Sequence, residues 1–433
     1  MASTPVTPRH VQRVYLALMM FNTLAASLIW GINTLFLLDA GLTSTEAFAA
    51  NAFFTAGQVL FEVPTGVVAD TTGRRTSYLI GAVTLSISTA LYLLAWHYHA
   101  AFWAWAVTSL LLGLGFTFFS GATEAWLVDA LGAAGFKGKL DSVFARGEIV
   151  EGIAMLTGSV AGGLIAQMSN LGVPYLLRAG ALVVTFAVAF LYMKDWGFSP
   201  THGKHPVREI KHVLRMSIEH GFRNRPVRWM MLAAPFTMGV GIYAFYAMQP
   251  YLLELYGDQK AYMVAGLAAA LMAGAQIVGG LLVPFVGRIV GRRTTVLLVT
   301  VMVSVGMMVL IGLVQSFWLA LVVLGVWALM WSASMPVRQA YLNGLIPSQQ
   351  RATILSFDSM LGSTGGVVVQ PVLGRSADVW GYPASYLLGG AISALALPFI
   401  LLSRRQNAPA DTAGGDVEAP LEPAVAAALE SDN

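Results

Sequence analysis

The feature that most limits how this chain can fold is a series of long apolar runs separated by short polar intervals. About 20 apolar residues are enough for a helix to cross the roughly 30 Å hydrocarbon core of a bilayer. Hydrophobic residues make up 57% of the 433 residues and charged residues only 11%, whereas soluble domains carry about 25% charged residues. Since an open strand edge cannot face lipid, each run is predicted to be a helix.

We therefore predict an all-α membrane protein with twelve transmembrane helices. The first run, from Val14, is long enough to span, so we interpret it as a signal anchor rather than a cleaved signal. The spans are assigned to residues 14–38, 46–69, 77–96, 102–129, 143–168, 174–194, 228–253, 262–287, 295–315, 317–345, 352–372 and 384–403.

The distribution of basic residues indicates the orientation. Twelve spans place both termini on one side, and of the 25 Lys and Arg residues only Arg178, Lys260 and Arg375 fall on the other side. Because Lys and Arg are enriched in cytoplasmic loops, we place both termini in the cytoplasm and the chain in the cytoplasmic (inner) membrane. This distribution also argues against a nucleic-acid partner, although the pI is near 9.0.

The composition excludes several kinds of site. The chain has no cysteine, which rules out disulfides and cysteine metal sites. The seven histidines form no HExxH and lie in loops or tails, and no GxSxG is present. We therefore expect no enzymatic activity, no cofactor and no metal.

Polar stretches divide the chain into five segments. We assign 1–13 to a cytoplasmic N-terminal segment, 14–194 and 228–405 to two six-helix halves, 195–227 to a cytoplasmic linker and 406–433 to a cytoplasmic tail. In the linker, apolar residues after Pro206 recur at spacings of three and four between charged ones, a pattern typical of an amphipathic helix on a membrane surface. The tail is rich in Ala, Pro, Asp and Glu and has no base, which predicts a disordered, dispensable segment.

The two halves are related in sequence. Gly-Arg-Arg-Thr at 73–76 recurs at 291–294, and residues 102–131 align without gaps on 317–346, which pairs Glu124 with Gln339. Two related six-helix halves are the architecture of a secondary transporter, with the substrate site between them near the midplane.

Between spans 2 and 3, Gly66 is followed after three residues by Asp70 and, after two more, by Gly73-Arg74-Arg75. This pattern resembles the signature loop of the major facilitator superfamily, and the second half holds a degenerate copy with Arg288 in place of Asp70. The resemblance covers about residues 14–405. It implies two halves that move against each other around a central substrate site.

The resemblance also implies that this loop is a gate, in which Asp70 and an arginine join a charge network that closes the inner side. That network would tie span 2 to the cytoplasmic ends of spans 4 and 11. A positively charged anchor with a turn glycine is the alternative. The predicted gate comprises the loop and partners in spans 4 and 5: Gly66, Asp70, Gly73, Arg74, Arg75, Asp129, Arg146 and Glu148.

Two departures argue against a standard drug/proton antiport mechanism. Proton-coupled drug exporters of the superfamily usually carry an arginine in span 4, where this chain has Ser109. Drug antiporters also carry a Gly-Pro pair in span 5, and no proline is present in that span.

Four acids fall inside the predicted bundle, namely Glu62, Glu124, Glu151 and Asp358. A charge at a helix centre costs about 2.5–3.5 kcal/mol, so it faces the bundle interior or a water-filled cavity. Since no histidine lies in a span, these acids are the candidate proton-coupling residues. Static salt bridges are the alternative.

Other polar and aromatic residues of spans 1, 2 and 7 are candidates for lining the cavity, with ordinary helix packing as the alternative. They are Asn22, Trp30, Asn33, Gln58, Tyr243, Tyr246 and Gln249. Arg178 is placed near the outer end of span 6, where a long basic side chain can snorkel to the interface.

The sequence thus predicts a secondary transporter that moves a small solute by alternating access. Its aromatic and Met-rich spans favour proton-coupled efflux of amphiphilic or drug-like compounds. The alternatives are proton-coupled uptake of a small metabolite or anion, and a transport-inactive sensor with the same fold. A buried base near the midplane would favour an anion, and no convincing one is evident. The expected partners are the lipid bilayer, a small-molecule solute and protons, and we expect a monomer.

Overall fold

The computed structural model describes residues 6–200, 206–346 and 351–412. The helices of the first half are α1 (Pro8–Trp30), α2 (Asn33–Asp39), α3 (Ser44–Thr72), α4 (Arg74–His97), α5 (Phe102–Thr117), α6 (Ala122–Ala133), α7 (Leu140–Met168) and α8 (Gly172–Tyr192). Those of the linker and the second half are α9 (Pro206–Met216), α10 (Arg225–Tyr256), α11 (Tyr262–Val290), α12 (Arg293–Leu313), α13 (Phe317–Asn343), α14 (Arg351–Ala394) and α15 (Ala396–Arg404).

Eleven helical segments of the described ranges are long and apolar enough to cross a membrane. Two predicted spans are each divided into two helices. The first breaks between α1 and α2, and the fourth breaks between α5 and α6, where Gly121 adopts a φ of 67°. The all-α membrane fold predicted from the sequence is confirmed.

The eleventh segment, Thr353–Arg404, is a helical hairpin that turns at Gly381, whose φ of 83° and ψ of 167° are not helical. The Tyr243 hydroxyl lies 3.4 Å from the Leu373 carbonyl oxygen and 2.6 Å from Ser385 Oγ. Along a continuous helix those two residues would be about 18 Å apart. The chain therefore reverses its direction here, as two separate spans at the predicted positions 352–372 and 384–403 require. The twelve crossings and the side of the termini stay predictions.

The linker contains a helix where the sequence predicts one, since α9 begins at Pro206. A π-helical turn, Ser217–Phe222, follows it. The apolar side chains of Val207, Leu214 and Ile218 are exposed, as expected for a helix that rests on a bilayer surface. That membrane contact stays a prediction.

A carboxylate caps the third span of each half. The Arg75 N–H, in the first turn of α4, donates to Asp195 Oδ1 at 2.8 Å. The Thr294 N–H, in the first turn of α12, donates to Asp411 Oδ1 at 2.7 Å, and the Thr294 hydroxyl donates to Oδ2 at 2.9 Å. Such a cap satisfies free N–H groups and favours the helix dipole. Each acid follows the last helix of its half, so each cap ties the end of a half to its third span.

The predicted disorder of the tail is wrong for residues 406–412, which pack on the second half. Asp411 is only 3% exposed, and Arg293 NH1 donates to the Ala410 carbonyl at 2.6 Å. Composition misled the prediction because a single acid is enough to cap a helix. Residues 413–433 lie outside the described residues.

Candidate functional site

The two halves touch at the end of the bundle that lies opposite the loop 70–75. Their contacts run between α3 and α14, between α7 and α11, and between α2 and α10. Trp30 stacks on Phe245 with ring centroids 4.3 Å apart. The Gln249 side chain donates to the Trp30 carbonyl and accepts from the Thr34 N–H, both at 2.9 Å. Following the predicted orientation, we call this set of contacts the outer closure.

Asp378 of α14 strengthens the outer closure by capping α3 of the other half. Its carboxylate accepts hydrogen bonds from the N–H groups of Ser44 and Thr45, each at 2.8 Å, and from the Thr45 hydroxyl at 2.5 Å. Charge-assisted hydrogen bonds at a helix N-terminus are among the stronger polar contacts. Separation of α3 from α14 at this end would break all three bonds.

Small residues bring the backbones of the halves close together in the outer closure. A Cβ added to Gly163 would lie 2.9 Å from the Gly266 Cα, and one added to Gly31 would lie 2.9 Å from the Ala269 Cβ. Close approach through small residues is typical of helices packed within membranes. A larger side chain at Gly163 would force α7 and α11 apart.

Towards the middle of the bundle lies a cavity of about 240 Å³, lined by helices of the first half and by Tyr246 of the second half. A second lobe of about 190 Å³ shares part of this lining and extends towards the second half. The polar, aromatic and Met residues around the first lobe are Trp30, Asn33, Asn51, Phe54, Gln58, Tyr92, Phe116, Met155, Arg178 and Tyr246. We call the two lobes the central cavity.

Four of the seven residues predicted to line a cavity, Trp30, Asn33, Gln58 and Tyr246, line the central cavity. The prediction was wrong for two others, because Tyr243 is buried against Phe48 of α3 and Ser385 of α14, and Gln249 is buried in the outer closure. For Asn22 it stays a prediction. Helical spacing identifies a shared face, but not the neighbour that covers it.

Arg178 of α8 lines the central cavity and does not snorkel to the outer surface. It is 2% exposed. Its Nε donates to Thr89 Oγ1 at 3.1 Å, its NH1 donates to the Ala25 carbonyl at 3.2 Å, and the guanidinium lies 5.7 Å from the Phe116 ring centroid. No carboxylate in the described ranges lies within ion-pair distance of it. The sequence missed this buried base because Arg178 is two turns from the start of its helix, where a snorkelling side chain is equally reasonable.

A chain of hydrogen bonds orients two asparagines in the same cavity. The Tyr175 hydroxyl donates to Asn33 Oδ1 at 2.8 Å, and Asn33 Nδ2 donates to Asn51 Oδ1 at 2.9 Å. This order leaves Asn51 Nδ2 buried without a partner in the described part of the chain. An unpaired buried donor costs about 1–3 kcal/mol, so the amide is suited to a bound ligand.

On the side of the loop 70–75, a wider inner cavity of about 610 Å³ opens between the halves. Glu148 and Glu151 line it, together with Trp30 and Gln276. Glu124 and Glu148 lie close enough to Glu151 to interact with it electrostatically. Since the opposite end is closed, the structure is open towards the predicted cytoplasmic side.

Glu62 lies half-buried on α3 and accepts a hydrogen bond from Ser120 Oγ at 2.8 Å. Neither Glu62 nor Glu124, Glu148 or Glu151 has a basic side chain within ion-pair distance among the described residues. Within the described residues, these four acids therefore form none of the static salt bridges considered from the sequence.

Asp358 is held differently from the glutamates. Arg338 of α13 contacts both of its carboxylate oxygens, with NH2 at 2.6 Å from Oδ1. Arg338 NH2 also donates to the Met230 carbonyl at 3.1 Å. Asp358 must leave this ion pair before it can take up a proton. The sequence prediction missed Arg338 as its partner.

The loop 70–75 forms contacts within the first half. Arg74 NH1 lies 2.5 Å from Asp70 Oδ1, and Asp129 interacts electrostatically with Arg74. Gly73 has a φ of 111°, and a Cβ there would lie 2.4 Å from Asp195 Oδ2, so only glycine fits. Asp195 belongs to this cluster although the sequence did not identify it.

The other predicted gate residues lie apart from the Asp70–Arg74 pair. Arg75 NH2 donates to the Phe190 carbonyl at 2.7 Å, and Gly66 lies within α3. Arg146 NH1 lies 3.5 Å from Gln12 Oε1, while Glu148 faces the inner cavity. Arg146 and Glu148 are therefore not partners of Asp70 in this open conformation, and the network predicted to close the inner side stays a prediction.

Comparison with known proteins identifies the family. The family model described as Major Facilitator Superfamily matches residues 15–289 and 263–431. The chain belongs to the major facilitator superfamily. A search of curated proteins by sequence gives no match.

Solved structures of transporters share the fold of this superfamily member. The nucleoside transporter NupG is 11% identical, with a TM-score of 0.73 over 90% of this chain and 98% of its own. A bacterial homologue of the human lysosomal transporter Spinster, solved in an inward-facing and unoccupied conformation, is 14% identical, with a TM-score of 0.72 over 92% and 97%. The D-xylose-proton symporter is 14% identical, with a TM-score of 0.66 over 91% and 96%. The family and the fold are those of transporters.

Proposed function

We propose that this superfamily member is a proton-coupled secondary transporter that moves a small amphiphilic solute by alternating access. The central cavity lies between the two halves, is sealed on one side by the outer closure and continues on the other side into the inner cavity. This arrangement suits one conformation of a transport cycle in which the halves rock about a central site. The D-xylose-proton symporter provides a proton-coupled example with this fold.

The observation that carries the coupling proposal is a group of four glutamates that have no basic partner among the described residues. Glu148 and Glu151 line the inner cavity, and Glu62 and Glu124 lie on the same side of the bundle. Ionisable residues inside a membrane domain mark ion and proton pathways, since they are costly there unless paired or hydrated. We propose Glu151 as the first coupling residue to test, because it is half-buried and adjacent to two other acids.

We propose efflux of an amphiphilic solute, and aromatic side chains in the cavity lining, such as Trp30, Phe54 and Phe116, support the amphiphilic character. A second candidate is the uptake of a small anion, which the buried Arg178 favours. The human organic anion transporter MFSD10 shares the fold at 15% identity, with a TM-score of 0.59 over 91% of this chain and 99% of its own.

The proposal can be tested with the purified protein in sealed vesicles that contain a pH-sensitive dye. A panel of amphiphilic solutes is added, and proton flux that depends on the solute is recorded. We expect Glu151→Gln to abolish solute-linked proton flux while solute-for-solute exchange persists, since exchange requires no net proton transfer. Glu124→Gln and Glu62→Gln identify a second coupling acid in the same way.

Glu254→Gln is the matched control, because Glu254 is an exposed acid near the end of α10, away from the inner cavity. It should leave proton flux unchanged. Full solute-linked flux in the Gln variants of all four inner glutamates would exclude them as the coupling site.

A further inference from the structure

We propose that the solute of this transporter carries a carboxylate, and that this group binds between Arg178 and Asn51 in the central cavity. The inference rests on the proposed transport function and adds the chemical class of the substrate, a small organic monoanion. Two independent features support it: within the part of the chain that the structure describes, a buried cation has no counter-ion and a buried amide donor has no acceptor.

The charge of the larger lobe of the central cavity comes from Arg178. Among the residues that line this lobe, it is the only charged one. No carboxylate of the described residues pairs with it. A buried charge is normally paired or hydrogen-bonded, so an anionic ligand would supply the missing counter-ion.

The contacts of Arg178 hold the guanidinium in place and leave one end free. Thr89 accepts from Nε and the Ala25 carbonyl accepts from NH1, while NH2 makes no hydrogen bond to any described residue. The guanidinium fork matches the two oxygens of a carboxylate. The protein contacts therefore position the group without satisfying it.

Asn51 supplies the second donor. Its Oδ1 is occupied by Asn33, which is itself fixed by Tyr175, so Nδ2 is the atom left for a ligand. An amide N–H₂ and a guanidinium both donate, and neither accepts from a ligand. This pair discriminates against cations and favours an acceptor with negative charge.

The other lining residues indicate the size and polarity of the remainder of the solute. Trp30, Phe54 and Phe116 present aromatic surface around a volume of about 240 Å³. Pockets of this kind bind an apolar body and use a few polar groups for orientation. A carboxylic acid with a short aliphatic or aromatic body fits both the donors of Arg178 and Asn51 and the aromatic lining.

The test is thermal unfolding of the purified protein with a panel of aliphatic and aromatic skeletons, each supplied as the carboxylate, the neutral amide and the amine. A ligand that binds the folded state raises the melting temperature. We expect the carboxylate of at least one skeleton to stabilise the protein while its amide and amine do not. Equal or stronger stabilisation by amides or amines, or no stabilisation by any carboxylate, would overturn the proposal.

Two substitutions locate the site. Asn51→Asp keeps the oxygen that accepts from Asn33 and replaces the free donor with a negatively charged oxygen, so it should fold and bind the carboxylate at least tenfold more weakly. Arg178→Gln should remove carboxylate binding, and Arg375→Gln, at an exposed arginine of α14, is the control with unchanged binding. If Arg178→Gln does not fold, Asn51→Asp decides alone, and undiminished carboxylate binding by that variant refutes the site.

The result is separable from the proposed function. Selective carboxylate binding without solute-linked proton flux would refute the coupling proposal and leave the anion site intact. Proton flux driven by a neutral amide or an amine, without any preference for carboxylates, would support transport and refute the anion site.

Discussion

The outer closure can be tested through Asp378, the only carboxylate among the described residues that caps a helix of the opposite half. Asp378→Asn removes the charge and replaces one acceptor oxygen with a donor that faces the N–H groups of α3. At least one of the three hydrogen bonds to Ser44 and Thr45 is then lost. We expect the equilibrium to shift towards a conformation with the outer end open.

The size of this shift follows from the contact. Loss of a helix N-cap costs about 0.5–2 kcal/mol, and Asp378 is exposed, so water replaces part of the lost bonding. We therefore expect the substitution to destabilise the closed form by about 1 kcal/mol. This free energy corresponds to roughly a fivefold change in the ratio of open to closed forms.

The absence of cysteine in the chain provides the assay. Thr34 is fully buried in the outer closure, and its hydroxyl has no partner among the described residues, so Thr34→Cys is close to isosteric. In this background, the rate of maleimide labelling reports opening of the outer end. Asp378→Asn should raise that rate about fivefold.

Glu46→Gln is the control, because Glu46 bonds to Thr43 at the same helix N-terminus without contacting the second half. It weakens the start of α3 but should not change the labelling rate. The reasoning is refuted if Asp378→Asn labels at the rate of the parent protein, or if Glu46→Gln accelerates labelling to the same extent.

Three further outcomes follow from the structure. A chain that stops after Arg405 loses the cap on α12, so its free energy of unfolding should fall by about 1 kcal/mol and its melting temperature should fall with it. A chain that stops after Thr412 keeps the cap and should melt at the same temperature as the full chain. Gly163→Ala should speed labelling of the outer cysteine, because its Cβ would meet α11 backbone, while Gly180→Ala in open space should not. Asp70→Asn should slow transport in vesicles at unchanged protein abundance, and a normal rate would remove Asp70 from the gate.

The sequence predicts the architecture well because the bilayer limits the possible structures. Length and lack of charge identify most spans, and the repeat identifies two halves. The last two spans are an instructive case, since α14 contains the first of them and about half of the second, and its backbone leaves helical geometry at Gly381. The polar interval between two apolar runs predicted the reversal there without any knowledge of the backbone.

The site is less predictable because it depends on contacts between distant helices. Glu62 and Glu151 are evident as acids in apolar runs, but the sequence does not show that no described base lies within ion-pair distance of them, because that depends on the folded bundle. Arg178 was misplaced because hydropathy gives depth along a helix but not the direction of the side chain. Asp411 was missed because its partner, Thr294, is more than a hundred residues away.

Three helix caps show how the same interaction can either hold a half together or join the two halves reversibly. Asp195 and Asp411 cap helices within their own halves, and Asp411 is almost fully buried. Asp378 caps a helix of the opposite half and is exposed to solvent. Breaking a buried charged contact leaves an unsatisfied group, which is costly, whereas water can replace an exposed one. The two caps within the halves should therefore persist when the halves move, and the cap between them should exchange with water, as a movement of two rigid halves requires.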